Sequence, residues 1–143
     1  MSVSRLEAVR EGVLAHPLHA ACGLQLLAAG DGRSVIRFEV NGFSANPQGA
    51  LHGGVLYAMI DVACFFAVVP SLRPEQHPVS VECHASILRA ATVGETVTIE
   101  ASLDRLGRTL AAMRAEVFAG EDESRRLIAT GSITKAILEG RGK

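Results

Sequence analysis

Residues 52–69 read HGGVLYAMIDVACFFAVV, and this stretch decides the fold. It predicts one long helix from about residue 54 to 69, stopped by Pro70. Apolar side chains surround the helix axis instead of forming one stripe, which is typical of a helix buried on all sides. Asp61 is the only charge within it. Because burying a lone carboxylate costs several kcal/mol, Asp61 needs a partner or a wet cavity, and structural and functional explanations are equally open.

The segments on either side of this helix predict a single α+β domain over residues 1–143. Residues 1–19 form an N-terminal helical segment, in which the amphipathic stretch 4–15 ends at His16-Pro17. Two strands, over residues 23–29 and 34–40, precede the long helix. Four more strands follow Pro78, and residues 139–143 form a loose tail. One long helix must therefore cover an antiparallel sheet of five to six strands.

The strands after Pro78 alternate apolar and polar residues, so each is expected to have one apolar face. The apolar positions are Val79, Val81, Cys83, Ala85 and Ile87 on the first, Val97, Ile99, Ala101 and Leu103 on the second, and Ala111, Met113, Ala115 and Val117 on the third. Residues 127–137 make the fourth strand.

Composition excludes several classes of function. The chain has 143 residues, of which 48% are apolar and 20% charged, and its formal net charge is -1. No run of Lys or Arg exceeds two residues, which argues against a nucleic-acid partner. The longest apolar stretch, residues 55–70, contains Asp61 and is shorter than the ~20 residues of a membrane span. Three scattered cysteines and no visible signal peptide predict a cytoplasmic protein with reduced thiols and no metal site.

The start of the long helix carries a second signal. His52-Gly53-Gly54 brings two residues without side chains to a helix N-terminus, where free N–H groups can polarise a carbonyl, although ordinary turns also use Gly-Gly. Asp61 lies about 11–12 Å along the axis from the Gly53 N–H, which is too far for its side chain to span. If the two act on one bond, they come from different subunits of a two-fold dimer.

The segment Asn46-Pro-Gln-Gly49-Ala-Leu-His52-Gly53-Gly54, followed by Asp61, resembles the PaaI-like hotdog-fold acyl-CoA thioesterases. This family includes phenylacetyl-CoA thioesterases and THEM2-like thioesterases. The Asn-x5-His-Gly-Gly-x6-Asp spacing carries the resemblance, and the predicted order of elements agrees over about residues 20–137. It implies a hotdog fold, in which the sheet wraps the helix and a homodimer joins two sheets into one, with dimers often pairing into tetramers.

The resemblance also implies hydrolysis of an acyl-CoA thioester to free acid and CoA at a site between two subunits, without a cofactor. Asp61 would act as general base or nucleophile, and the Gly53 N–H would polarise the thioester carbonyl. Asn46 would place the water or the carbonyl, and Ser80 would orient the water. His52 would brace the loop, with proton transfer as the less favoured alternative.

Apolar side chains near Asp61 suit an acyl group but do not distinguish an aryl group from an aliphatic one. The substrate-binding candidates are Gly54, Tyr57, Phe65 and Val81. Three other functions stay open: a hotdog acyl-CoA dehydratase or hydratase, a non-catalytic acyl-CoA-binding protein, and a structural dimer in which Asp61 pairs across the interface.

Overall fold

A computed structural model describes residues 4–140, which form one antiparallel sheet wrapped around a long helix. The helices are α1 (Arg5–Leu14), α2 (Pro17–Cys22) and α3 (Gly53–Val68), and the strands are β1 (Gln25–Gly30), β2 (Arg33–Glu39), β3 (His77–Ile87), β4 (Thr96–Leu106), β5 (Leu110–Ala119) and β6 (Arg126–Leu138). The strands lie in the order β1-β2-β4-β5-β6-β3, and all neighbours are antiparallel. The predicted α+β architecture is confirmed.

Helix α3 supplies the centre of the hydrophobic core. Nine of its 16 residues are buried, and they surround the axis as the apolar sequence predicts. The regular helix ends at Val68, one residue early, because Pro70 lies in a 3-10 turn over Val69–Ser71. By length and composition alone, Gly53–Ser71 could cross a membrane, but more than half of it is buried inside the fold. Its hydropathy is therefore accounted for by the core.

The buried positions of β4 and β5 alternate as predicted. Val97, Ile99, Ala101, Ala111, Met113, Ala115 and Val117 are buried, and Leu103 is half-buried.

Strand β6 approaches α3 closely at Gly131. A Cβ atom at this position would lie 3.1 Å from two side-chain carbons of Ile60 and 3.1 Å from the carbonyl oxygen of His84. Such contacts are tighter than ordinary van der Waals packing, so a side chain would push the helix away from the sheet. Gly131 therefore keeps the middle of α3 close to the β6–β3 pair.

The N-terminal segment contains two helices, where the sequence predicted one that ended at Pro17. Proline is well suited to the first position of a helix, because its missing N–H has no intrahelical partner there. The His16 ring caps α2 by accepting a hydrogen bond of 3.1 Å from the Leu18 N–H. Helix α2 ends at Gly23, which adopts a left-handed conformation (φ 73°). The helical segment thus runs to Cys22, beyond the predicted residue 19; residues 1–3 lie outside the described part of the chain.

The face predicted for β3 is wrong at its start. The pairing of β3 with β6 shifts register between Ser80 and Glu82, so Val81 is the extra residue of a β-bulge. Ser80 lies opposite Lys135, and after the bulge Cys83 lies opposite Ile133. Strand β3 is also an edge of the sheet, and Val81 is 62% exposed. The bulge therefore turns Ser80 toward α3 where the sequence predicted Val81.

The predicted loose tail, residues 139–143, is anchored at its first residue. The Glu139 carboxylate accepts hydrogen bonds of 2.7 Å from Arg73 and 2.8 Å from Gln76. These bonds tie the end of β6 to the connection between α3 and β3, so Glu139 is not part of a loose tail. Residues 141–143 lie outside the described part of the chain.

Candidate active site

Asp61 lies on the side of α3 that is turned toward β3 and β6. Its Oδ1 accepts a hydrogen bond of 2.5 Å from Ser80 Oγ and one of 2.8 Å from Lys135 Nζ. Within residues 4–140 no group donates to Oδ2, and the side chain is 45% exposed. The carboxylate is therefore anchored through Oδ1, while Oδ2 has no donor in this part of the chain.

Lys135 is the partner that Asp61 requires, and sequence analysis missed it. Its side chain is only 3% exposed and lies on the inward face of β6, between Ile133 and Ile137. The signal was present in the alternating pattern of the last predicted strand, where Lys135 occupies an apolar position. A cation on the buried face of a strand and an anion on a buried helix each need an opposite charge, so the two could have been paired.

Ser80 closes a hydrogen-bonded triangle with these two residues. Lys135 Nζ donates to Ser80 Oγ over 2.9 Å, and Ser80 Oγ donates to Asp61. Since an ammonium can only donate and a carboxylate can only accept, the hydroxyl proton of Ser80 points to Asp61 Oδ1. The hydroxyl oxygen keeps one acceptor site, so Ser80 can orient a water only by accepting from it.

At the start of α3, His52 caps the helix. Its Nδ1 accepts a hydrogen bond of 2.9 Å from the Gly54 N–H, which places the proton of a neutral ring on Nε2. A Cβ at position 54 would lie 3.1 Å from the His52 ring, so glycine there leaves room for the cap. No hydrogen bond among the described residues uses the Gly53 N–H. This N–H is therefore available to a ligand at the positive end of the helix dipole.

Asn46 organises the loop that precedes α3. Its Oδ1 accepts hydrogen bonds of 3.0 Å from the N–H groups of Gln48 and Ala50. Its backbone N–H donates to the Ala50 carbonyl oxygen over 2.7 Å. With Oδ1 engaged, the side-chain amide can offer a ligand only its Nδ2 donors.

Asn46 and Gly53 line one cavity of about 400 Å³ together with Ile87, Leu88 and Arg89. Asp61 is not part of its lining. Gly53 and Asp61 are eight residues apart on one helix, so their Cα atoms are separated by about 12 Å along the axis. Within one chain, the structure thus brings Asn46 to Gly53, and Ser80 to Asp61, but does not bring the two pairs together.

The substrate-binding candidates lie in different settings. Tyr57, Asp61 and Phe65 follow one another at four-residue spacing, and Tyr57 is 39% exposed with its hydroxyl donating to the Ala85 carbonyl oxygen over 3.3 Å. Phe65 is half-buried, and its ring centroid is 5.5 Å from that of Phe66. The N–H of Gly54 is occupied by the His52 cap, and the exposed Val81 lies in the bulge.

The two cysteines near Asp61 do not offer an activated thiolate. Burial raises the pKa of the Cys64 thiol to about 12, and burial also raises the pKa of Cys83. A nucleophilic cysteine needs a lowered pKa, so neither thiol is suited to act as a nucleophile. In the part of the chain that the structure describes, residues 4–140, no three His, Cys, Asp or Glu side chains converge on a possible metal position.

Comparison with known proteins supports the thioesterase resemblance. The profile of the thioesterase superfamily matches residues 48–125, more than half of the chain. A protein of Deinococcus radiodurans, named provisionally as an esterase, is 33% identical over 79% of this chain and 75% of its own length. The 1,4-dihydroxy-2-naphthoyl-CoA hydrolase of Listeria monocytogenes is 24% identical over 87% of this chain and 98% of its own length.

A solved structure gives the same assignment. The phenylacetic acid degradation protein PaaI of Thermus thermophilus, solved as a point mutant, superposes with a TM-score of 0.76 at 29% identity. The match covers 86% of this chain and all of that one. This chain therefore belongs to the thioesterase superfamily, among its PaaI-like hotdog-fold members.

Proposed function

We propose that this protein hydrolyses an acyl-CoA thioester to free acid and CoA, with Asp61 as the catalytic carboxylate. The observation that carries the proposal is the carboxylate itself: the side chain is 45% exposed, Oδ1 is anchored, and Oδ2 has no donor among residues 4–140. Membership of the thioesterase superfamily supports thioester hydrolysis. The Listeria relative, named as a hydrolase of a naphthoyl-CoA, supports CoA as the thiol.

Asp61 Oδ2 can act as a general base. It takes a proton from a water molecule while the water oxygen attacks the thioester carbonyl carbon. The Gly53 N–H donates to the carbonyl oxygen and stabilises the negative charge that develops there. The C–S bond then breaks, its electron pair leaves with sulfur, and the proton on Asp61 passes to the thiolate. Acting as a nucleophile instead, Oδ2 attacks the same carbon, and the C–S bond breaks to release the CoA thiolate and leave an anhydride. Water then cleaves the anhydride, which restores the Asp61 carboxylate and releases the free acid and the proton that the thiolate takes up.

The remaining candidate residues would bind the thioester carbonyl, the acyl group and CoA. Asn46 Nδ2 donates to the carbonyl oxygen beside Gly53, because its Oδ1 is already engaged. His52 fixes the start of α3 and leaves the Gly53 N–H free. Tyr57, Phe65 and Val81 offer apolar surface to the acyl group. Exposed Arg89, at the cavity, can pair with a CoA phosphate.

A homodimer through β3 would unite the two halves of the site. Strand β3 ends the sheet, so its outer backbone groups have no partner strand among the described residues, and Val79 and Val81 beside them are exposed. Pairing two copies along β3 would extend both sheets into one and bring the second copy beside the stripe that holds Tyr57 and Asp61, where the acyl group and water would bind. A two-fold axis then allows Asp61 to act with Gly53 of the partner subunit. Association of two dimers into a tetramer remains a prediction.

The first experiment measures CoA release, with a thiol reagent, from a panel of aryl-CoA and alkyl-CoA esters. Wild type should hydrolyse at least one class, and Asp61→Asn should lower kcat by roughly 10²-fold or more while its melting temperature stays above the assay temperature. Hydration of an unsaturated acyl-CoA without CoA release would favour the dehydratase alternative. Tight binding of acyl-CoA without any turnover would favour the binding protein.

Gly53 allows a matched pair of variants that isolates its N–H. Gly53→Pro removes the N–H at a helix position where proline is tolerated, and His52 already has the extended backbone that precedes proline (ψ 130°). Gly53→Ala keeps the N–H, and its Cβ would meet only Ile87 Cδ1, at 3.4 Å. We expect kcat to fall by about 10²-fold for proline and by much less for alanine. Equal losses would assign Gly53 a steric role.

A further inference from the structure

We infer that Lys135 is a positioning residue, which fixes the Asp61 carboxylate so that Oδ2 is the oxygen that reacts. This inference rests on the proposed function, since it concerns the same carboxylate. Lys135 Nζ donates to Asp61 Oδ1 over 2.8 Å and to Ser80 Oγ over 2.9 Å. The ammonium itself is almost fully buried, whereas the carboxylate is 45% exposed. Lys135 therefore lies behind the carboxylate, on the side away from solvent.

Two strands hold the donors in place. Lys135 of β6 and Ser80 of β3 lie directly opposite each other in the sheet. The Lys135 side chain passes between buried residues of the core, and its Nζ lies 6.0 Å from the centroid of the Phe65 ring. Since both donors belong to paired strands, they converge on one oxygen of a residue that comes from a different element, α3.

The triangle restricts the rotation of the carboxylate. The terminal torsion of an Asp side chain is broad, so without directional contacts its two oxygens sample many orientations and exchange places. With two donors on Oδ1, the carboxylate is held in one orientation, in which Oδ2 has no donor among residues 4–140. Loss of the ammonium would leave Ser80 as the only donor among residues 4–140, and Ser80 would lose the donor that orients its own hydroxyl.

This arrangement predicts an effect on turnover and not on binding. Lys135 is only 3% exposed and so has almost no surface with which to contact an acyl group or CoA. Its removal should therefore leave KM within roughly twofold of the wild-type value. Because misplacement of a reacting group by about 1 Å can cost 10²-fold, kcat should fall by about that factor. A residue needed only for folding would lower the amount of active enzyme without this split between kcat and KM.

The test compares Lys135→Met, which keeps the volume and removes the donor, with the exposed surface variant Arg10→Met as a control for lost charge. Asp61→Asn is measured alongside. A second variant, Lys135→Ala, is assayed with n-propylammonium, which replaces the deleted carbons and the ammonium. Tetramethylammonium, which has charge but no N–H donor, is the control for ionic strength. Thermal melts at the assay pH confirm that each variant is folded.

The expected result is a loss of about 10²-fold in kcat for Lys135→Met, no loss for Arg10→Met, and partial recovery of Lys135→Ala by n-propylammonium alone. If Lys135→Met keeps wild-type kcat while Asp61→Asn is inactive, the role of Lys135 is overturned and the proposed function stands. If Asp61→Asn is as active as wild type, both are overturned. Equal recovery by tetramethylammonium would also contradict the role of Lys135.

Discussion

The pair formed by Asp61 and Lys135 should respond unequally to removal of its two members. Asp61→Ala leaves the Lys135 ammonium, which is 3% exposed, without an anion. Lys135→Met leaves a carboxylate that water can reach and that Ser80 still contacts, while the methionine fills the vacated apolar space. We therefore expect the aspartate variant to be much less stable than the lysine variant.

The magnitudes follow from the burial of each group. Removing one partner of a buried ion pair costs about 3–5 kcal/mol, and the exposed carboxylate argues for the lower end, about 3 kcal/mol for Asp61→Ala. Lys135→Met leaves a hydrated Asp61 behind and should lower the free energy of unfolding by no more than about 1 kcal/mol. In a domain of this size about 1 kcal/mol shifts Tm by roughly 2–4 °C, so the expected losses are about 6–12 °C for Asp61→Ala and 0–4 °C for Lys135→Met.

Urea denaturation of both single variants and the double variant measures these differences in the free energy of unfolding. The double variant Asp61→Ala/Lys135→Met should recover most of the loss caused by Asp61→Ala, because no buried charge is left without a partner. Asp61→Asn, whose amide oxygen can still accept from both donors, should lie between wild type and Asp61→Ala. Equal losses for the two single variants, or a double variant that shows their sum, would refute the pairing argument.

Three further predictions concern residues around the site. His52→Ala should lower the free energy of unfolding by about 0.5–2 kcal/mol through loss of the α3 cap, and His52→Asn should restore most of it; equal stabilities would contradict the cap. Gly131→Ala should lower the free energy of unfolding by about 1–3 kcal/mol, because its Cβ would lie 3.1 Å from Ile60. An unchanged midpoint of urea denaturation would contradict this close approach. The Arg126 guanidinium lowers the pKa of Glu95 from 4.5 to about 2. The folded state therefore gains stability above pH 4.5 that disappears as the pH falls through 2, so the Tm advantage of wild type over Glu95→Gln should vanish over that range.

The fold could be predicted from the sequence wherever one pattern decides it. The apolar circumference of α3 and the alternation of β4 and β5 gave correct elements and correct faces. The face predicted for β3 was wrong at its start because a bulge at Val81 reverses the inward and outward alternation. The bulge cannot be recognised in the sequence, because apolar residues continue at alternate positions through it. Helix α2 was missed because Pro17 can either stop a helix or begin one.

The site was predictable in its parts but not in its contacts. The spacing from Asn46 to Asp61 carried the family resemblance that indicated which residues to examine, and the role expected for Ser80 came from the same resemblance. Lys135 was missed, although its apolar position on the last strand was a signal, because it lies 74 residues further along the chain and the pairing of β6 with β3 brings it to the carboxylate. The distance between Gly53 and Asp61 was available from helix geometry alone.

The measurement that tests the central claim most directly is complementation between two inactive variants. Gly53→Pro and Asp61→Asn are each purified, mixed in equal amounts under conditions that exchange subunits, and assayed for CoA release. If each site combines Gly53 of one subunit with Asp61 of the other, half of the dimers are mixed and each regains one intact site, so about a quarter of wild-type activity should return. Subunit exchange is verified independently with differently tagged copies. No recovery in a mixture that contains mixed dimers would contradict a site shared between two subunits.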